Sequence, residues 1–202
     1  APDGLQVEGR DEIRVLASAV TASYAVLEEA AAMGADALLV HHGYFWQGED
    51  VAVVGMKRRR LAMLLGHHIN LLGYHLPLDA HGVFGNNVQL ARVLGIQVQG
   101  SFGPEPGIAL LGELSSPTEG AELARRIALA LGREPLHVAA QDARPIRRIG
   151  WCTGAAQKYI EAAAESGLDA YLSGEASEQT FHAAREMNIH FFAAGHHATE
   201  RY

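Results

Sequence analysis

A strand-helix-strand pattern that occurs twice at one fixed offset constrains this chain more than any other feature of its sequence. Shifting the sequence by 133 residues lays IRRIGWCTG (146–154) under IRVLASAVT (13–21), and the same shift lays YIEAAAESGLDAYLSGE (159–175) under VLEEAAAMGADALLVHH (26–42). Glu28, Gly34, Asp36 and Leu39 then recur as Glu161, Gly167, Asp169 and Leu172. Helix-Gly-x-Asp-strand turns are common in α/β proteins, but two separate segments matching at one offset without a gap point to a duplicated unit. A third strand repeats at an offset of 120, with INLLGYH (69–75) over IHFFAAG (189–195). Short apolar strands alternating with helices imply mainly parallel sheets with helices on their faces. The expected fold is therefore α/β, with two similar lobes over residues 1–100 and 101–202. The Gly- and Pro-rich QGSFGPEPG (99–107) is read as the linker between them.

Within the first lobe, residues 13–20 read as a buried strand, 24–34 as an alanine-rich helix closed by Gly34, and 35–42 as a second buried strand. MKRRRLAMLLGHH then reads as a helix, INLLGYH as a strand and NNVQLARVLG as a helix. The basic run Lys57–Arg60 could meet phosphates, although such a run on a helix is ordinarily a solvated face. Neither a G-x-x-x-x-G-K-[ST] nor a G-x-G-x-x-G motif occurs.

A formal net charge of −7 argues against a general nucleic-acid binder, because phosphate attraction needs a basic face. The single cysteine, Cys152, rules out an internal disulfide and reads as a buried structural thiol; it fits a reducing cytoplasm and equally a bacterial protein of any compartment. No signal peptide and no apolar run long enough to span a bilayer is found, so the expected location is cytoplasmic, with no membrane partner.

Histidine is the unusual residue: there are 11, with adjacent pairs at 41/42, 67/68 and 196/197. In open parallel sheets the functional crevice lies beyond the carboxyl ends of the strands, and that is where this chain puts its metal-capable side chains. His41 and His42 follow ALLV, His75 and then Asp79 follow NLLGY, and His196, His197 and Glu200 follow FFAAG. After Gly195 a first helical turn would put His196 and Glu200 at i and i+4 on one face. His75 and Asp79 have the same spacing, but Pro77 between them speaks for a loop. Each pair alone has an ordinary explanation, as backbone-bonded strand ends or surface ion pairs. Their coincidence at three strand ends is what favours a metal site. Imidazoles with carboxylates suit Zn, Fe, Mn or Ni, and so many donors suit two ions that share a carboxylate and a water. His67 and His68, at a helix end, read as a solvated or dipole-capping pair. Glu175 falls in the second half where His42 falls in the first and reads as a candidate lining residue, while Ser173 or Ser177 as a helix N-cap explains the same segment more simply.

Taken together, GLQVEG, GADALLVHHGYFW, YHLPLDAH, WCTG, SGEASEQT and GHHATER resemble the GTP cyclohydrolase 1 type 2 (NIF-like) family, in its bacterial YbgI-like branch. The resemblance implies a NIF-like fold of two α/β lobes with a dimetal site between them, in a toroidal homo-hexamer. It makes His41, His42, Asp79, His196 and Glu200 the ligands of two divalent ions, with Glu200 touching both. His75 matches a histidine of that site, as a near or occasional ligand, and is the expected proton carrier, whereas His197 is not a ligand. The implied function is hydrolysis of a nucleotide or related heterocycle by a metal-bridging hydroxide. The alternative is a ring-shaped metal-binding assembly without turnover.

Overall fold

The computed structural model describes residues 2–142 and 144–202, and the chain divides into two compact units, Ala1–Leu78 and Asp79–Tyr202. The first contains β1 (Gly4–Val7), β2 (Leu16–Thr21), α1 (Tyr24–Ala32), β3 (Ala37–His42), α2 (Gly55–Gly66) and β4 (Asn70–Gly73). Its sheet has the order β1-β4-β3-β2, parallel except for β1. Leu27, Leu38, Val40, Leu64, Ile69 and Leu71 form its core. Each such burial contributes about 1.5–3 kcal/mol before the cost of ordering.

A short helix, α3 (Leu76–Asp79), runs across the junction. Residues 76–79 are thus helical where Pro77 argued for a loop. A proline in the first turn is tolerated, because the N–H it lacks has no acceptor within the helix there.

The second unit contains α4 (Asn86–Leu94), β5 (Gln97–Phe102), β6 (Ala109–Thr118), α5 (Gly120–Leu131) and β7 (Leu136–Val138). It continues through β8 (Ile146–Cys152), α6 (Ile160–Glu165), β9 (Ala170–Ser173), α7 (Glu178–Glu186), β10 (His190–Ala193) and α8 (His196–Glu200). The strand order is β5-β6-β8-β9-β10-β7, and only β8-β9-β10 is parallel. Period-2 alternation covers both faces of this sheet. Trp151, Leu172 and Phe192 join one apolar cluster, while Tyr171 and Phe191 join the other.

The expected linker is a hairpin turn instead. Gly103 and Gly107 take positive φ values of 82° and 78° between the antiparallel strands β5 and β6. The chain divides earlier than residue 100 because Leu90 and Ala91 of α4 pack into the second unit's core with Ile127 and Trp151.

The repeat holds at the level of single hydrogen bonds. Leu16 pairs with Ala37 in β2-β3 as Ile149 pairs with Ala170 in β8-β9, and Ala37 pairs with Asn70 as Ala170 pairs with His190. Asp36 Oδ2 accepts the N–H groups of Arg14 and Val15 at 2.9 Å each, and Asp169 Oδ2 accepts those of Arg147 and Arg148 at 3.0 and 2.8 Å. Gly34 and Gly167, which turn the chain out of α1 and α6, both have φ of 67°. That left-handed conformation favours glycine. Among the described residues no helix is long and apolar enough to cross a membrane.

Candidate metal centre

In the first unit His41, His42 and His75 come together, each offering a ring nitrogen within 4.8 Å of the others. Adjacent side chains on a strand leave on opposite sides, and the neighbours of β3 reconcile this with a common destination. On the β4 side, Tyr74 O accepts from His41 Nδ1 at 2.9 Å. On the β2 side, His42 Nδ1 meets Thr21 Oγ1, also at 2.9 Å. The first bond fixes a tautomer: a carbonyl only accepts, so the proton of neutral His41 sits on Nδ1 and the Nε2 lone pair is the one available to an ion. His75 follows the end of β4, where its backbone N–H donates to Asp3 Oδ1 at 2.9 Å. Trp46 stands edge-on to the His75 ring at 4.9 Å, with its own Nε1 donating to Gly43 O at 3.1 Å.

In the second unit α8 delivers His196 and Glu200 on one face, as their spacing requires. His196 Nε2 lies 3.3 Å from Glu200 Oε2, and His196 Nδ1 lies 2.7 Å from Glu175 Oε1. Glu200, then Glu175, pushes the His196 pKa up to about 9 against the opposing effect of burial. Glu175 follows β9 and Ser177 caps α7, accepting from Thr180 N at 3.2 Å, so the capping role belongs to Ser177. Two glycines make room. Gly154, at φ 68°, faces Glu200 Oε1 so closely that a Cβ would collide with it, and the same Cβ would crowd His196 Nε2. Gly174 faces the His196 backbone in the same way. Thr199 ties the turn down, its hydroxyl donating to His196 O at 2.8 Å and accepting from Gly154 N at 3.1 Å.

Asp79 is buried, and its Oδ1 accepts from Asn86 Nδ2 at 2.9 Å. Asp79 and Glu200 each offer a carboxylate oxygen, and these lie within 4.8 Å of each other. Two buried carboxylates this close repel unless a cation or a shared proton lies with them. With an i,i+4 imidazole beside one of them and a glycine in place of any bulk, the donor set fits a divalent ion. His75 thus falls with the first unit's donors, and His197 is exposed. Cys152 is buried, and burial, followed by the Asp79 and Glu200 charges, pushes its thiol up to about 12. Its burial agrees with the structural role read from the sequence.

The supporting residues Thr21, Trp46, Tyr74 and Asn86 were not singled out from the sequence. The repeat held one signal, because the 133-residue shift that pairs His42 with Glu175 also pairs Thr21 with Gly154. Tyr74 acts through its backbone and left no side-chain signal.

A family model described as Duf34/NIF3 (NGG1p interacting factor 3) matches residues 1–202. The chain belongs to the DUF34/NIF3 family. A Pseudomonas aeruginosa member named "GTP cyclohydrolase 1 type 2 homolog" is 60% identical, with 100% of this chain and 80% of that protein covered. An Escherichia coli member of the same name is 53% identical at the same coverage. Among solved structures, one described as "protein ybgI, unknown function" superposes with a TM-score of 0.96 at 54% identity, covering 100% of this chain and 80% of that one. Another, TTHA1606 from Thermus thermophilus, gives 0.86 at 33% identity, covering 98% and 78%. As a DUF34/NIF3 member the chain has the mixed α/β architecture expected, with groups of residues able to bind metal.

Proposed function

We propose that this DUF34/NIF3 protein is a dinuclear-metal hydrolase that opens a nucleotide or related heterocycle. His41, His42, Asp79, His196 and Glu200 hold two divalent ions, and Glu200 is shared by both. The observation that carries this is the close pair of buried carboxylates, Asp79 and Glu200, in a chain that also gathers His41, His42 and His75. When bound, such an ion pair supplies Lewis acidity and makes water a nucleophile near neutral pH. The protein's own groups do the rest. Tyr74 O sets the His41 tautomer, Glu175 orients His196 through Nδ1, and Asn86 holds Asp79. His75, with Trp46 against its ring, carries a proton to or from the reacting group. The substrate class is supported by the name of the P. aeruginosa and E. coli relatives. A homo-hexameric ring is the assembly proposed, on family membership.

The test is elemental analysis of full-length protein, with GTP turnover followed by loss of purine absorbance. Two ions per chain are expected. Glu200→Ala should lose most of the metal while His197→Ala keeps it. His75→Gln should keep metal and lose about 10²–10⁴-fold in rate, the usual worth of a general acid or base. Equal metal content in E200A and H197A would remove Glu200 from its role. Full metal occupancy without turnover would leave the metal site and overturn the hydrolase.

A further inference from the structure

The second unit contains a cleft of about 410 Å³ whose lining includes Arg133, Leu136, Glu175, Ala176, Ala193 and His196. Its two charged carboxylate and guanidinium groups are engaged differently. Glu175 is bonded to His196 Nδ1. Arg133 follows Gly132, the residue that ends α5, and no carboxylate among the described residues pairs with its guanidinium. By contrast, Arg125 and Arg126 of the preceding helix both bind Glu122.

The Arg133 guanidinium lies against the backbone of Gly195, the residue before His196. A Cβ built on Gly195 would stand 2.9 Å from Nη1 and 3.1 Å from Cζ. Gly195 has φ of 100°, so the turn into α8 favours glycine, and the missing side chain leaves the arginine room to approach. A planar fork of N–H donors held at the wall of a cleft matches a phosphate bidentately. Glu175 also lines the cleft, and its carboxylate, 2.7 Å from His196 Nδ1, disfavours an anion beside that ring.

We infer that Arg133 binds the phosphate group of a small-molecule substrate in this cleft, with Leu136, Ala176 and Ala193 against its less polar part. This rests on the hydrolase reading above, since it directs the reacting end of the ligand toward His196.

The experiment titrates as-purified, full-length protein with inorganic phosphate, followed by ³¹P NMR, and measures metal content in the same samples. Arg133→Ala should weaken phosphate binding at least about tenfold with metal content and Tm unchanged. Arg133→Lys should fall between, because a point charge keeps the attraction without the fork, and Arg126→Ala should bind as the wild type does. Wild-type affinity in R133A, or a loss that occurs only together with loss of metal, would overturn the inference. A wild-type protein without metal in which R133A still abolishes phosphate binding would sink the hydrolase reading and sustain the anion site.

Discussion

Gly154 carries no donor, yet the carboxylate of Glu200 and the ring of His196 both depend on it. Gly154→Ala adds a methyl group where those two side chains stand and imposes a left-handed conformation that costs an L-residue about 1–2 kcal/mol. The expected outcome is a lower Tm together with about a tenfold loss of metal affinity, the scale of a disturbed ligand support. Calorimetry and elemental analysis on the same preparation check it. His196 makes a second prediction, about pH. Its pKa of about 9 means that the metal-free ring is protonated at neutral pH. The stability its charge contributes is complete below the unfolded value of ~6.5 and disappears as pH rises through about 9. An ion must displace that proton, so metal affinity should climb between those values. Titration calorimetry in buffers of different ionisation enthalpy should detect the released proton near pH 7.5. Glu175→Gln should reduce the release, and a release that does not respond to E175Q would place the proton elsewhere.

The aspartates that open β3 and β9 act at the scale of the element. Each carboxylate accepts two successive N–H groups, Asp36 from the residues leading into β2 and Asp169 from β8, and so fixes the register in which the strand ends are presented. A one-residue slip would exchange the faces of every side chain, including His41 and His42. The N–H groups of Arg14 and Val15, with the Arg10 guanidinium 2.6 Å away, hold the Asp36 carboxyl below its usual range. A depressed folded value contributes stability above ~4 that is lost as pH falls toward that value. Asp36→Asn should therefore lower Tm at pH 7, and the gap to wild type should narrow below pH 4. A gap that did not narrow at all as pH fell below 4 would show that the charge is not what matters. These aspartates were legible in the sequence because they recur at the repeat offset. The segments that lack a first-half counterpart were not: β5, β6, α5 and β7 lie between the repeats, and the Gly/Pro turn between β5 and β6 looks like a linker when its partner strands are not recognised.

For the whole molecule, the fold class and the grouping of the candidate donors were readable because strand ends are where an α/β chain places chemistry. What supports the donors was not, since it is made of a carbonyl (Tyr74), a missing Cβ (Gly154) and an amide seven residues from its partner (Asn86). A ligand bound only by the folded state stabilises it in proportion to the logarithm of its saturation, about 2.7 kcal/mol at a hundred times Kd. Removing metal with a chelator should accordingly lower Tm by several degrees, and resupplying it should restore the transition. E200A should show little response to either treatment. A chelator response in E200A equal to wild type would mean that the stabilising ions bind without Glu200.

The shared register of the two halves has a further consequence. In a homodimer, every substitution appears on both sides of the symmetry axis at once. A duplication within one chain removes that restriction. The position that holds His42 in one copy holds Glu175 in the other, and the one that holds His41 holds Gly174. One copy has imidazoles at its strand end while the other has a carboxylate and a missing side chain. Two descendants of one unit can thus specialise in opposite directions while the clamps that hold their strands remain the same.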